Sequence, residues 1–222
     1  ALGYHQLILL EEGNDEPLAT MRLIVAPKSC YKQAPIANGR KVWGPSVQLY
    51  CLRSRHNWGI GDFSDLGQLV EKAAAWGAHF VGLNPIHALY PANPESASPY
   101  SPSSRRWLNV AYINVEAVPE FLANERLKAD VASPAFQQHL ASLRAKENVD
   151  YTGVIETKIG MLRQVFDEAR LSAERQAAFD AFVAAGGDSL QQQAAFDALQ
   201  AHFYAKGENA WGWPVWPEAL RD

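Results

Sequence analysis

The stretch from Trp43 to Asn114 constrains this chain more than any other, because it sets a strand, a glycine loop, a capped helix and a second strand in close succession. Val47 to Leu52 is a short apolar run of the kind a strand buried on both faces requires, and Gly59 and Gly61 then interrupt any regular continuation. A helix is expected to begin near Asp62. Its carboxylate can accept from the free amides of the first turn, and Asp65, three residues on, favours the positive end of the helix dipole. Phe63, Leu66, Leu69, Val70, Ala73 and Ala74 then form one apolar face at helical spacing, and Gly77 is placed to end the helix. The run His79 to Asn84, HFVGLN, follows as the second strand and Pro85 closes it. Strand, helix and strand so close together predict a parallel pair joined by a right-handed crossover, and hence an α/β fold. A long loop dense in Ser, Pro, Tyr, Trp, Arg and Asn comes next.

On either side the character changes. Tyr4 to Leu10 and Leu18 to Val25 are β-rich runs flanking the turn-rich EEGNDEP, which predicts an antiparallel hairpin. An isolated hairpin is only marginally stable, so those strands need others beside them. Ala26-Pro27 to Arg40, with Asn38 and Gly39, reads as a linker, and the boundary falls near Val42. Beyond Asn114 the chain becomes a series of short helices. Ser133-Pro134 supplies a cap and a first-turn proline ahead of Phe136, Leu140 and Leu143. Val154, Ile155, Ile159, Leu162, Val165, Phe166 and Ala169 form the next face. Ser172 opens a helix expected to stop at Gly186-Gly187, and Ser189 opens one carrying Leu190, Ala194, Leu199 and Phe203 to Gly207.

The net charge of −4, with no basic cluster beyond Arg105-Arg106, gives no footing for nucleic acid or an anionic membrane, and a neutral partner fits better. Cys30 and Cys51 read as reduced and structural, with a disulfide as the lesser reading, so a cytoplasmic setting is expected. No signal peptide or long apolar span is present in the sequence. Ala1 is not an initiator Met and the first residues are already strand-like, so the chain is expected to start inside a domain.

The segments VQLYCLRSRHNWGIGDFSDL, FVGLNPIHALYPANPESASPYSPSSRRWLNVAYI and WGWPVWPEALRD resemble the 4-α-glucanotransferase family, the amylomaltases or disproportionating enzymes, and especially its bacterial maltodextrin-using branch. The resemblance runs through nearly all of the chain. It implies an internal fragment holding the first two βα units of a (β/α)8 TIM-type barrel. They would be preceded by the last strands of an N-terminal β-rich domain and followed by a helical insertion subdomain, at 1–41, 42–120 and 121–222. It further implies a parent enzyme that moves α-1,4-glucan segments between maltodextrins with retention, using no cofactor.

Such transfer needs two carboxylates flanking the scissile bond. The family's catalytic acids lie in motifs that do not occur here, so the chain alone is expected to be inactive, with no catalytic residue of its own. Asp62 and Asp65 are better explained as cap and dipole partners, and Glu95 as a solvated loop carboxylate. What remains is the sugar-gripping side of a site. Loops after the C-terminal ends of barrel strands face substrate, and Tyr and Trp offer an apolar ring face together with a polar handle. Ser98-Pro99-Tyr100 matches the family's Ser-Pro-Tyr motif, so Tyr100 is expected against a sugar ring with Ser98 beside it. Ser104 and Asn109 match family positions, although Asn109 also suits a purely backbone-satisfying role. Trp58 and Tyr90 suit either an outer glucan subsite or packing.

Asn84 and Pro85 shape the loop, and Arg105 and Arg106 are expected to hold it by hydrogen bonds to carbonyls or carboxylates. His87 has no companion at ligand spacing, so no metal site is expected. Trp211, Trp213 and Trp216 read as a packed hinge or as a glucan platform. An α-glucan is thus the expected partner, and a non-catalytic α-glucan-binding protein is the alternative. Two barrel strands without their neighbours also leave open edges, through which self-association is expected unless something covers them.

Overall fold

Residues 1–207 and 212–221 are described by the computed structural model. They fall into two units that divide between Trp43 and Gly44. In the first, β1 (Gly3–Leu10) runs antiparallel to β2 (Pro17–Val25), with Leu7 opposite Met21 and a register shift between Leu9 and Leu10. The turn is closed by the Asn14 amide donating to Glu11 O at 3.0 Å, while Asn14 Oδ1 accepts from Glu16 N at 3.0 Å. Ile8, Leu10, Leu18 and Ile24 are exposed with Leu7, Leu9 and Met21, so both faces of this ribbon are apolar and uncovered within its unit. The expected linker contains a single-turn helix, α1 (Ala34–Ala37), with Pro35 in its first turn.

The second unit opens with β3 (Ser46–Val47), parallel to β4 (Gly82–Leu83), and α2 (Phe63–Ala75) lies between them in sequence. Both strands are much shorter than the runs Val47 to Leu52 and His79 to Asn84 that were expected. Each has one strand neighbour among the described residues, so the ladder is not propagated. From Leu49 to Cys51 the backbone instead coils into a 3-10 turn, and the Leu49 amide donates to Asn84 Oδ1 at 2.8 Å.

Helix α2 starts where its cap places it. Asp62 Oδ1 accepts from Ser64 N at 2.9 Å and Asp65 N at 3.1 Å, and Asp65 Oδ2 accepts from Asp62 N at 3.1 Å. This reciprocal box satisfies amides that no helical carbonyl can reach. Burial holds the Asp62 carboxyl above the usual carboxylate range. Asp62→Ala is expected to lower stability by about 1–2 kcal/mol in thermal or urea unfolding, with Asp62→Asn much milder because the amide oxygen still caps. The helix ends at Gly77, whose φ of 79° lies in the left-handed region.

The stretch after Asn84, expected to be loop throughout, contains a small antiparallel pair: β5 (His87–Ala88) and β6 (Ser104–Leu108), with His87 opposite Leu108 and Ala88 opposite Ser104. Then follow α3 (Pro119–Leu122), α4 (Glu125–Ala132), α5 (Pro134–Arg144), α6 (Tyr151–Glu168) and α7 (Ala173–Lys206). Asn124, Ser133, Asp150 and Ser172 each cap the helix they precede with a side-chain oxygen. The run from Ala173 to Lys206 is two helices that meet at a kink where Gly187 takes φ 50° and ψ −148°, so the stop expected at Gly186-Gly187 falls at Gly187, and Gly207 closes the second helix.

One core joins the strand–helix–strand unit to the helices: Leu49, Trp58, Ile60 and Tyr112 pack in the same cluster as Leu127, Leu140, Val154 and Val165. It has no break near residue 120. Two glycines make the close approach possible. A Cβ on Gly61 would lie 2.1 Å from Leu49 O, and one on Gly59, whose φ is 90°, would lie 2.8 Å from the Leu143 side chain.

A lysine is buried at the centre of this arrangement. Lys158 on α6 donates to Ala111 O at 2.7 Å and Ile113 O at 2.8 Å, pinning the turn that follows β6. Burial pulls its ammonium down to about 8, opposed by the nearby charges of Asp62 and Asp65.

Candidate functional site

The loop between β5 and β6 is stiffened by its own polar groups. Ser103 Oγ donates to Leu89 O at 2.6 Å and lies 3.2 Å from Ala88 O. Tight turns are closed by Asn93 N to Tyr90 O at 2.9 Å, Ser96 N to Asn93 O at 3.0 Å and Ser101 N to Ser98 O at 3.1 Å. The last of these lifts Tyr100 outward, leaving it 71% exposed, and Ser98 beside it is exposed too. Glu95 is not merely solvated. Its Oε1 accepts from Thr152 Oγ1 at 2.6 Å, which ties the loop to the first turn of α6.

Tyr50 lies within reach of the Tyr100 charge and brings a further tyrosine with it. Tyr50 follows β3 and faces Tyr151, the first residue of α6, with ring centroids 6.5 Å apart. Burial raises the Tyr50 phenol, and charges on Cys51 and Tyr100 raise it further. Tyr151 is pushed up to about 12, first by burial and then by Tyr50 and Tyr112. Both phenols stay protonated at neutral pH and can donate to a hydroxyl. Sequence reading missed Tyr50 and Tyr151. The position of Tyr50 at the end of the first strand was the one local signal; nothing nearby in sequence announced Tyr151.

The other expected site residues divide. Ser104 opens β6, and its Oγ accepts from Arg106 N at 3.2 Å. Asn109, matched to a family site position, is buried and caps the following 3-10 turn by accepting from Ala111 N at 2.9 Å, which is its other, backbone-satisfying reading and not a sugar contact. Trp58 is a correction: it is 2% exposed and cannot stack on a glucan. Its indole Nε1 donates to Glu116 Oε1 at 2.8 Å and its ring meets Phe136 edge-on at 5.3 Å. Helix α5 covers the place where an outer subsite was expected.

Tyr90 packs edge-on against Phe196 at 6.4 Å. Arg105 and Arg106 are exposed, and among the described residues neither guanidinium holds the loop through a hydrogen bond. Trp216 is buried between Phe196 and Phe203, Trp213 is exposed, and Trp211 lies outside the described residues. Both cysteines are free and exposed. No helix among the described residues is long and apolar enough to cross a membrane.

Comparison with known proteins places the chain. A family model described as 4-alpha-glucanotransferase matches residues 47–222, and the chain belongs to that family. It is 39% identical to a 4-alpha-glucanotransferase of Haemophilus influenzae over 222 aligned residues, covering 96% of this chain and 31% of the relative. To the 4-alpha-glucanotransferase of Mycobacterium tuberculosis it is 36% identical, covering 99% and 30%. The crystal structure of amylomaltase from Corynebacterium glutamicum superposes with a TM-score of 0.79 at 33% identity, over 94% of this chain and 29% of that one. The chain therefore spans about a third of the length of the relatives it matches.

Proposed function

We propose that this chain is the sugar-gripping portion of a retaining 4-α-glucanotransferase that passes α-1,4-glucan segments between maltodextrins. The single observation that carries the reading is the exposed Tyr100 on a loop rigidified by its own turns, within a chain of this family. The strand–helix–strand unit is then the start of a (β/α)8 barrel, with α3 to α7 as the insertion beside its mouth and the hairpin as the tail of a β-rich domain. The loops after β3 and β4 belong to the face where such barrels bind substrate. Tyr100 offers its ring face and Ser98 a hydroxyl to one glucosyl unit, while Tyr50 and Tyr151 donate from the side. Ser104 and Asn109 keep the loop's end in shape. The partner is a neutral α-glucan.

Bond cleavage is assigned to a different part of the parent enzyme. The buried carboxylates Asp62 and Asp65 are both committed to the cap of α2, which leaves neither free to act as nucleophile or proton donor. The same observation supports the second reading, a glucan-binding protein without catalysis. Incubation of the chain with maltotriose tests both. The expected result is saturable binding without release of glucose or longer dextrins, and Tyr100→Ala is expected to weaken binding at the loop about tenfold through loss of ring stacking. Glucose appearing in the wild-type digest would contradict the assignment of cleavage elsewhere.

A further inference from the structure

The two helices of α7 meet the β5–β6 hairpin at two places. The first is anchored near its start, where Arg175 Nε donates to Glu120 Oε1 on α3 at 2.7 Å, and Phe182 farther along packs edge-on against Trp107 of β6 at 6.2 Å. The second lies against the opening residues of the loop: Phe196 meets the Tyr90 ring at 6.4 Å, and the Tyr204 hydroxyl donates to Asn93 Oδ1 at 3.4 Å. A straight helix would carry Tyr204 about 33 Å beyond Phe182. Trp107 adjoins Leu108, the partner of His87, and the chain from His87 to Asn93 spans at most about 21 Å when fully extended. The turn closed by Asn93 N and Tyr90 O shortens it further. Both sets of contacts therefore need a corner, and two glycines make it. Gly187, at φ 50° and ψ −148°, takes a conformation that a side chain penalises, although a Cβ there would meet nothing within 4 Å. A Cβ on Gly186 would lie 2.7 Å from Leu190 Cβ, so its absence lets Leu190 fold back over the bend.

We propose that α7 is a bent strap that sets the position of the β5–β6 loop, with Gly187 as its corner and Phe182, Phe196 and Tyr204 as positioning residues for Tyr100. The loop's own turns fix its internal shape, but β5 is only His87–Ala88, too short a base to fix how the loop leans. Contacts from outside must do so. Glu95 supplies one through Thr152 on α6, and α7 supplies the rest through Tyr90, Asn93 and Trp107. The strap itself needs no ligand; its effect on a bound sugar rests on the reading of an α-glucan as partner.

Hydrogen exchange of the whole chain, read by mass spectrometry over 89–103, 151–168 and 183–192, tests it in wild type, Gly187→Ala and Phe196→Ala. Gly187→Ala is expected to straighten the bend, so exchange slows over 183–192 while it quickens about tenfold over 89–103, the effect of one lost contact. A general loss of stability does not move two segments in opposite directions. Phe196→Ala removes a ring of the strap without touching the corner or the loop. It is expected to quicken the same loop with α6 unchanged, and it decides the matter if Gly187→Ala fails to fold. The proposal is overturned if exchange over 89–103 keeps its wild-type rate in the folded variant, since the Glu95 tie and the loop's turns would then suffice. It is equally overturned if exchange quickens as much in α6, the mark of global destabilisation. Affinity for maltotriose, read by calorimetry, is expected to fall as the loop loosens. Affinity that holds while the loop loosens defeats Tyr100 as the sugar contact and leaves the strap standing.

Discussion

Trp58→Ala is expected to lower the unfolding free energy of the unit that contains it by about 3–5 kcal/mol, the range for removing a large aromatic side chain from a packed core. The ring is 2% exposed, lies edge-on to Phe136 and donates to Glu116, so alanine leaves both a void and an unpaired carboxylate oxygen. Gly59 beside it has no room even for a Cβ against Leu143 and Val154, which limits how far the backbone can collapse into that void. Urea unfolding followed by circular dichroism measures the effect. A variant of unchanged stability that loses glucan binding would restore the outer-subsite role that burial denies.

Lys158 sets the second large effect, on pH dependence. In the unfolded chain its ammonium has the ordinary value of 10.5, and in the fold burial lowers it to about 8. Between those values the unfolded state holds the extra proton, so the stability this group contributes rises with pH across that window and is absent below it. The full span is worth about 3 kcal/mol, since a one-proton difference changes stability by about 1.4 kcal/mol per pH unit. Lys158→Met removes the titration while other groups continue to titrate. The stability of wild type relative to that variant is expected to grow by about 2 kcal/mol between pH 8 and pH 10, read from urea midpoints. A difference that stays flat with pH would show that the ammonium is not held away from water.

What could be read in the sequence was what depends on neighbours three or four residues away. Asp62 with Asp65, Gly77, Ser133-Pro134, Ser172 and Gly207 all mark helix ends that the structure contains, because capping is a local hydrogen-bond problem. Strand length was not legible. It depends on which strands lie alongside, and Leu49 gives its amide to a side chain instead. Trp58 could not be assigned between a subsite and packing because its cover, Phe136, comes from a helix far along the chain. The pairing of Gly186 and Gly187 marked a stop as well, and Gly187 is where one helix ends and the next begins. Of the candidate site, the motif gave Tyr100 and Ser98. Tyr50 and Tyr151 needed the fold, since Tyr151 comes from the start of α6, far along the chain from the turn that holds Tyr50.

Asn84 shows how little chemistry fixes the geometry on which the loop depends. Its oxygen receives the Leu49 amide, and its nitrogen reaches Pro85 O at 2.7 Å and the Tyr112 hydroxyl at 3.5 Å. One flat group therefore plays two opposite parts at once, and its two ends are not interchangeable. Aspartate there would bring two acceptors to a position that needs a donor on one side, and leucine would bring neither. The alignment of one strand with the next is thus written in the polarity of a single carboxamide, and a substitution that respects only its size would erase it.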